Sequence, residues 1–201
     1  MIIGNSNPAS FIESRYNSVN DYLFLPINFL YTHVIHELIH MLTRHILSKS
    51  PLVISVGLSI SNERVPGRIT TVHQYLNEVI TEQMTREIET ILMKKINFTS
   101  QTNSYDNFFP LTQNFYMAFK DQLKYHGING GMDNFIFELG EEFTEYEQTF
   151  HLLVWEQLRR LQKDSKSIEF TDFMKETMNS LTQKLITKDQ DRKLKTNQIL
   201  D

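Results

Sequence analysis

Residues 32–45 read THVIHELIHMLTRH and combine histidines with a run of apolar residues. This stretch holds four of the seven histidines in the 201-residue sequence. Most of its other positions are Val, Ile, Leu or Met, which predicts a helix that is apolar almost all round and therefore buried. Imidazole and carboxylate groups are costly to bury without a partner. The imidazoles and the carboxylate of this helix therefore need specific partners in the interior.

His36, Glu37 and His40 form the pattern H-E-x-x-H. Residues four apart share one face of a helix, and two imidazoles there can bind one zinc ion at about 2.0–2.1 Å. Glu37 lies about 100° further round, beside the metal, where it can accept a proton from a zinc-bound water. We interpret the two histidines as metal ligands and Glu37 as the general base. A structural coincidence is the alternative.

The flanking histidines are less informative. His33 lies one turn before His36 and could either orient a ligand or pack at the rim of the helix. His45 falls one residue short of the third histidine in the metzincin pattern, which also requires Gly where this chain has Thr43. The sequence therefore does not fit the metzincin pattern.

Composition and charge exclude several classes of function. Hydrophobic residues make up 40% of the chain, which predicts one globular domain spanning residues 1–201. The absence of cysteine excludes disulfides, a thiolate metal site and a cysteine nucleophile. The net charge is −4, and no basic patch suited to nucleic acid is visible.

The sequence predicts no membrane insertion. The most apolar segment, residues 22–35, is too short and is interrupted by Pro26 and Asn28. The N-terminus lacks the cationic start and apolar stretch of an ordinary signal peptide. We therefore expect a cytoplasmic protein, or one exported without a recognisable signal peptide, such as a delivered effector.

The pattern along the chain predicts a mostly α fold of the α+β class. PLVISVGLSIS, residues 51–61, alternates and is rich in β-branched residues, so it predicts a strand, and RITTV could be a short return strand. The C-terminal helices are expected to form a bundle, ending in a flexible charged tail at 187–201. The predicted helices cover 27–47, 71–96, 112–125, 134–163 and 171–186.

A second motif, LNEVITE, lies at residues 76–82. Periodicity alone leaves Glu78 and Glu82 as the solvated acidic face of an amphipathic helix or as ligand donors. HELIH followed by LNEVITE resembles the gluzincin group of zinc metallopeptidases, in which a second helix supplies a glutamate ligand. The resemblance implies a zincin-like core of two motif helices and one Zn²⁺ per chain. It assigns Glu78 as the third ligand. Asn77 and Glu82 would lie behind the ligands, where Glu82 would orient a ligand histidine.

Thirty-seven residues separate His40 from Glu78, more than is usual in gluzincins, and they contain the predicted strands. In gluzincins an edge strand near the metal holds the substrate in extended form. The resemblance therefore implies that residues 51–61 serve this purpose here.

The resemblance implies a peptidase that hydrolyses a peptide bond of a protein or peptide substrate, by Glu37-assisted attack of a zinc-bound water. Gluzincins also use a downstream His or Tyr to stabilise the oxyanion. We favour His126, beside the glycines of HGINGG, and Tyr116. The candidates are Tyr105, Tyr116, Tyr125, His126 and His151.

Two alternatives remain open. The chain could be a non-catalytic helical metal-binding or protein-interaction module, although a purely structural metal site has no need of a general base such as Glu37. It could also be a peptidase restricted to one partner protein.

Overall fold

The computed structural model describes residues 15–18, 22–24, 31–49, 51–65, 68–95, 104–164 and 170–200. The helices are α1 (Tyr31–Leu42), α2 (Gln74–Lys95), a 3₁₀ helix (Ser104–Phe108), α3 (Phe109–Asn129), α4 (Met132–Asp164) and α5 (Asp172–Leu200). The strands are β1 (Arg15–Asn17), β2 (Tyr22–Phe24), β3 (Arg44–Lys49), β4 (Leu52–Val56), β5 (Ser59–Val65) and β6 (Arg68–Val72). The predicted mostly α, α+β class is confirmed.

The main sheet is an antiparallel meander in the order β3-β4-β5-β6, inserted in the chain between α1 and α2. The predicted single strand at 51–61 is two strands, β4 and β5, and RITTV is the return strand β6. Val56 pairs with Ser59, which leaves a two-residue turn whose first residue, Gly57, has φ +54°. A positive φ at this position is the pattern of a type II′ hairpin turn, which favours glycine.

Helix α1 is shorter than predicted. The pattern indicated a helix to residue 47, but α1 ends at Leu42 and β3 begins at Arg44. The Thr43 hydroxyl donates to the Ile39 carbonyl at 2.8 Å and satisfies one of the last acceptors of the helix. Residues 44–49 then pair with β4, so cross-strand hydrogen bonding overrides their local helical pattern.

Helix α1 buries a polar stripe instead of an apolar one. Its buried residues are Thr32, His36, Glu37, Ile39 and His40. Tyr31, Met41 and Leu42 are exposed, so the expectation of a helix buried all round is wrong. The face of α1 that meets the protein interior is the one that carries the H-E-x-x-H motif.

Helices α1 and α2 run antiparallel along this polar stripe. Thr32 contacts Glu89, His36 contacts Glu82, and His40 contacts Glu78. Each step toward the C-terminus of α1 is therefore a step toward the N-terminus of α2. We call this line of contacts the polar seam.

The apolar core lies among α2, α3, α4 and α5. It is rich in aromatic side chains, and Phe115 and Tyr146 stack at 4.7 Å between ring centroids. The helix at 171–186 was predicted to lead into a flexible tail, but α5 continues to Leu200. Fully buried members of the core include Leu76, Val79, Phe115, Phe119, Phe135, Phe143, Tyr146, Phe150, Met178 and Leu185.

The acidic run of α4 faces the basic residues of α5. Glu145 and Glu142 pair with Lys184 and Lys188 at 2.9 and 3.3 Å. These ion pairs join the two helices near the surface, where each pair contributes little to stability. Among the described residues, no helix has an apolar stretch long enough to cross a membrane.

We expect Gly57→Ala to destabilise the protein by on the order of 1–3 kcal/mol, measured by urea unfolding. A Cβ at Gly57 would lie 2.4 Å from Oδ1 of Asn77, which accepts the Leu58 N–H. Gly140→Ala is the matched control, because Gly140 also has a positive φ but its nearest contact would be at 3.7 Å. Equal losses in the two variants would show that the close approach to Asn77 is unimportant.

Candidate metal centre

Three donor atoms from three residues converge on one point of the polar seam. Nε2 of His36 lies 3.0 Å from Nε2 of His40. Oε2 of Glu78 lies 3.0 Å from the first nitrogen and 3.2 Å from the second. Both imidazoles are buried, whereas the Glu78 side chain is 21% exposed. The predicted ligands His36, His40 and Glu78 are thus brought together, and Glu78 is the most exposed of the three.

The spacing of these atoms fits a small divalent cation. A tetrahedral zinc with ligands at about 2.0–2.1 Å keeps its donor atoms roughly 3.3–3.4 Å apart. The observed 3.0–3.2 Å is slightly tighter. No other group of three or more His, Asp or Glu side chains among the described residues comes together in this way.

The hydrogen bond of His36 supports metal binding through Nε2. Its Nδ1 lies 2.8 Å from Oε2 of Glu82, a fully buried residue. A carboxylate accepts, so Nδ1 carries the proton and donates. In the neutral ring this leaves a lone pair on Nε2, directed at the convergence point. A carboxylate that orients a metal-binding imidazole is a recurring arrangement at metal sites.

Asn77 links the metal centre to the β4–β5 turn. Its Oδ1 accepts the Leu58 N–H at 2.8 Å, which turns its Nδ2 toward Nδ1 of His40 at 3.4 Å. The contact with His40 is long for a hydrogen bond. Asn77 therefore fixes the hairpin against α2 more firmly than it orients the imidazole.

Without a cation, protons must balance the charge of this cluster. Burial alone would lower the pKa of His36, but hydrogen bonds and attraction from Glu78 and Glu82 outweigh it and raise that pKa to about 9. Burial alone would raise the pKa of Glu78, but attraction and hydrogen bonds from His40 and His36 hold it well below its usual range. The same carboxylates that favour a proton on His36 would favour a divalent cation.

Glu37 is buried and directly follows His36 on α1. The helical step places its Cα–Cβ bond about 100° from that of His36. Glu37 is not part of the converging group of His36, His40 and Glu78, so its role as general base stays a prediction.

Neither favoured oxyanion donor contacts the three ligands. The Tyr116 hydroxyl donates to Glu87 at 2.6 Å, about two and a half helical turns along α2 from Glu78. Burial and this hydrogen bond raise the pKa of Tyr116 well above its usual range. His126 stacks on Phe135, with ring centroids 5.4 Å apart and an interplanar angle of 15°. Its ring belongs to the α3–α4 junction.

Tyr105 is the one of the five predicted candidates whose ring stacks on a ligand. Its ring lies over His36 with centroids 6.0 Å apart and an interplanar angle of 11°. Tyr125 is exposed beside His126, and His151 is exposed and accepts the indole N–H of Trp155. The sequence included Tyr105 among the candidates but held no signal that singled it out, because its position depends on how the 3₁₀ helix packs.

The remaining histidines of the opening stretch lie away from the ligand atoms. His45 donates from Nε2 to the carbonyl of Gly127 at 2.7 Å and ties β3 to the end of α3. His33 is half-buried one turn before His36. Within the described part of the chain, neither histidine belongs to the converging group.

Arg86, which lies one turn beyond Glu82 on α2, was not predicted from the sequence. Its Nη2 is 2.7 Å from Oε1 of Glu82, the carboxylate that holds His36. A Glu–Arg pair four residues apart was visible in the sequence, but such pairs are common on solvated helix faces. Nothing in the pattern of α2 indicated that Glu82 is completely buried.

Comparison of the chain with models of protein families, with curated proteins and with solved structures finds no match. The likeness to gluzincins rests on the motifs HELIH and LNEVITE.

We expect the purified protein to bind about one zinc ion per chain, by the three-ligand rule for such sites. Replacement of both His36 and His40 by Ala should abolish binding, because one glutamate remains of three ligands. His151→Ala is the control, since this histidine is exposed on α4. Emission spectrometry after gel filtration gives the stoichiometry. Full zinc content in the double variant would refute the site.

We expect the zinc-free protein to lose stability as the pH rises from 6.5 through about 9. The pKa of His36 is higher in the folded than in the unfolded state, so its contribution is complete below 6.5 and is lost as the folded pKa is passed. The loss is at most about 3 kcal/mol. Urea unfolding in a chelator measures it.

Excess zinc should offset this loss, because the cation replaces the proton. In His36→Gln the corresponding part of the pH dependence should vanish. The same slope in this variant and in the parent would assign the effect to another group.

Proposed function

We propose that this protein is a zinc-dependent peptidase. The observation that carries the proposal is the convergence of His36, His40 and Glu78 within 3.0–3.2 Å, with Glu37 beside them on α1. Two histidines and one glutamate are the ligand set of one class of catalytic zinc sites, which keep a further position open for water or substrate. The partial exposure of Glu78 leaves a side on which such a position could lie.

The chain's own residues would divide the remaining work. Bound zinc would supply Lewis-acid polarisation of a carbonyl and would lower the pKa of water toward neutrality. Glu37 would accept the proton of the attacking water and return it to the leaving amine. Glu82 would keep the His36 ring oriented through its hydrogen bond to Nδ1. These roles need one protonatable carboxylate outside the ligand group, which Glu37 provides.

An extended peptide is the substrate form that the fold supports best. Strand β3 is an edge of the sheet and starts two residues after α1 ends. Edge strands offer unpaired backbone groups to which an extended peptide can add. Strands β3 and β6 are the two edges of the described sheet, and we propose β3 because it follows the helix of the two histidines directly. The predicted segment at residues 51–61 instead forms the interior strand β4 and part of β5.

We propose Tyr105 as the group that stabilises the developing oxyanion, in place of His126 and Tyr116. Its ring contacts a ligand imidazole, whereas Tyr116 is engaged by Glu87 and His126 by Phe135. A phenol O–H is a suitable donor for such a charge.

A metal that only joins α1 to α2 is the second candidate function. The observation in its favour is the burial of both imidazoles, His36 at 4% and His40 at 6% exposure. Structural zinc sites are closed, whereas catalytic ones keep an open position. Glu37 separates the two candidates, because a structural site does not need it.

We expect Glu37→Gln to retain zinc and the fold but to lose peptidase activity by about 10²-fold or more. Glutamine has nearly the same shape but cannot accept the proton. Mass spectrometry of new N-termini in a denatured protein mixture, treated with parent or variant, measures the loss. Glu78→Gln is the contrasting variant and should lose zinc affinity first. Cleavage by Glu37→Gln at the parental rate would favour the structural candidate.

We expect Tyr105→Phe to lower the turnover rate by about 10²–10³-fold while zinc affinity stays at the parental value. Phenylalanine keeps the stacked ring on His36 and removes only the hydroxyl. Tyr125→Phe is the control, because Tyr125 is 64% exposed. Initial rates on a peptide found by the cleavage mapping test this. Unchanged turnover in Tyr105→Phe would require a different oxyanion donor.

A further inference from the structure

Arg86 gathers three carboxylates beside the metal centre. Its Nη2 lies 2.7 Å from Oε1 of Glu82, and its Nη1 lies 2.6 Å from Oε2 of Glu89. Its Nε and Nη2 lie 3.1 and 2.9 Å from the two oxygens of Asp106. The side chains of Glu82 and Glu89 are 0% and 1% exposed. One guanidinium therefore serves two fully buried carboxylates and a third that is nearer the surface.

The first of these contacts leads directly to a ligand. Glu82 uses Oε1 for Arg86 and Oε2 for Nδ1 of His36. A buried carboxylate is costly to desolvate unless a positive charge and hydrogen bonds compensate. Arg86 supplies the charge, so it determines where Glu82 sits. The position of Glu82 in turn sets the direction of the imidazole.

The contact with Asp106 leads to the face of the same imidazole. The paired hydrogen bonds between Arg86 and Asp106 have the bidentate geometry that fixes both planar groups. Asp106 belongs to the 3₁₀ helix, and its neighbour Tyr105 stacks over the His36 ring. Arg86 therefore anchors the segment that covers one face of His36.

The contact with Glu89 leads to the first turn of α1. Glu89, held by Arg86, accepts the hydroxyl hydrogen bond of Thr32. Thr32 lies one turn before His36 on the same helix. Arg86 thus holds the helix that carries His36. It also holds Glu82, which contacts the edge of the His36 ring, and the segment of Tyr105, which contacts the face of that ring.

We infer that Arg86 is a positioning residue of the metal centre, which holds Glu82, Tyr105 and the first turn of α1 so that Nε2 of His36 points at the convergence of ligand atoms. This inference rests on the proposed metal site. It goes beyond that site by assigning metal affinity to a residue that is not a ligand and does not touch one.

A double-mutant cycle on zinc affinity tests the inference. Arg86→Gln, Glu82→Gln and the double variant are titrated with Zn²⁺ in competition with a chromophoric chelator, and circular dichroism verifies folding. Loss of a residue that orients a metal-binding histidine costs about 10–100-fold in affinity. We expect each single variant to show such a loss. The double variant should bind zinc more tightly than the product of the two single losses predicts, because Arg86 acts in part through Glu82.

Arg160→Gln is the matched control, because Arg160 pairs with Glu156 at 3.0 Å on the exposed face of α4. Its zinc affinity should equal that of the parent. If Arg86→Gln does not fold, Arg86→Lys enters the same cycle, since an ammonium keeps the charge but cannot reproduce the guanidinium fork. The loss should then be smaller and again non-additive with Glu82→Gln.

Two results would overturn the inference while leaving the metal site intact. One is zinc affinity within about twofold of the parent in the folded Arg86 variant. The other is a double variant whose loss is the product of the two single losses, since Arg86 would then act independently of Glu82. A parent protein that binds no Zn²⁺ would instead overturn the proposed metal site, and the inference with it.

Discussion

The polar seam between α1 and α2 is the constraint on which the rest of this structure depends. Two buried imidazoles and a carboxylate direct their donor atoms at one point, 3.0–3.2 Å from one another. Lone pairs so close together repel unless a proton or a cation lies among them. A divalent cation would neutralise the cluster and join the helices at once, which links the fold of this region to the chemistry proposed for it.

The neighbouring elements set the register of the seam. The meander of β3 to β6 carries the chain from the end of α1 to the start of α2, and the hydrogen bond from Leu58 to Asn77 docks its central turn on α2. At the other end, Arg86 connects α2 to the 3₁₀ helix and, through Glu89, to α1. The ligands are therefore held from both ends of the seam.

The sequence was sufficient to predict the parts of the site that depend on helical spacing. His36 and His40 are one turn apart on α1, and the motif likeness that singled out Glu78 agrees with its position beside them. The end of α1 was not predictable from periodicity, since strand pairing converts residues 44–49 into β3. Tyr105 and Arg86 depend on tertiary packing between distant segments, which leaves no periodic signal. The extension of α5 beyond residue 186 was missed because Lys188 and Arg192 find carboxylate partners on α4, and a tail considered alone shows no such partners.

The most direct test of the account is the anomalous scattering of a crystal of the zinc-loaded protein, recorded on both sides of the zinc absorption edge. We expect one strong peak per chain, at about 2.0–2.1 Å from Nε2 of His36, Nε2 of His40 and an oxygen of Glu78, with Glu82 outside the coordination sphere. A peak elsewhere in the molecule, or one with Glu82 as ligand in place of Glu78, would contradict it.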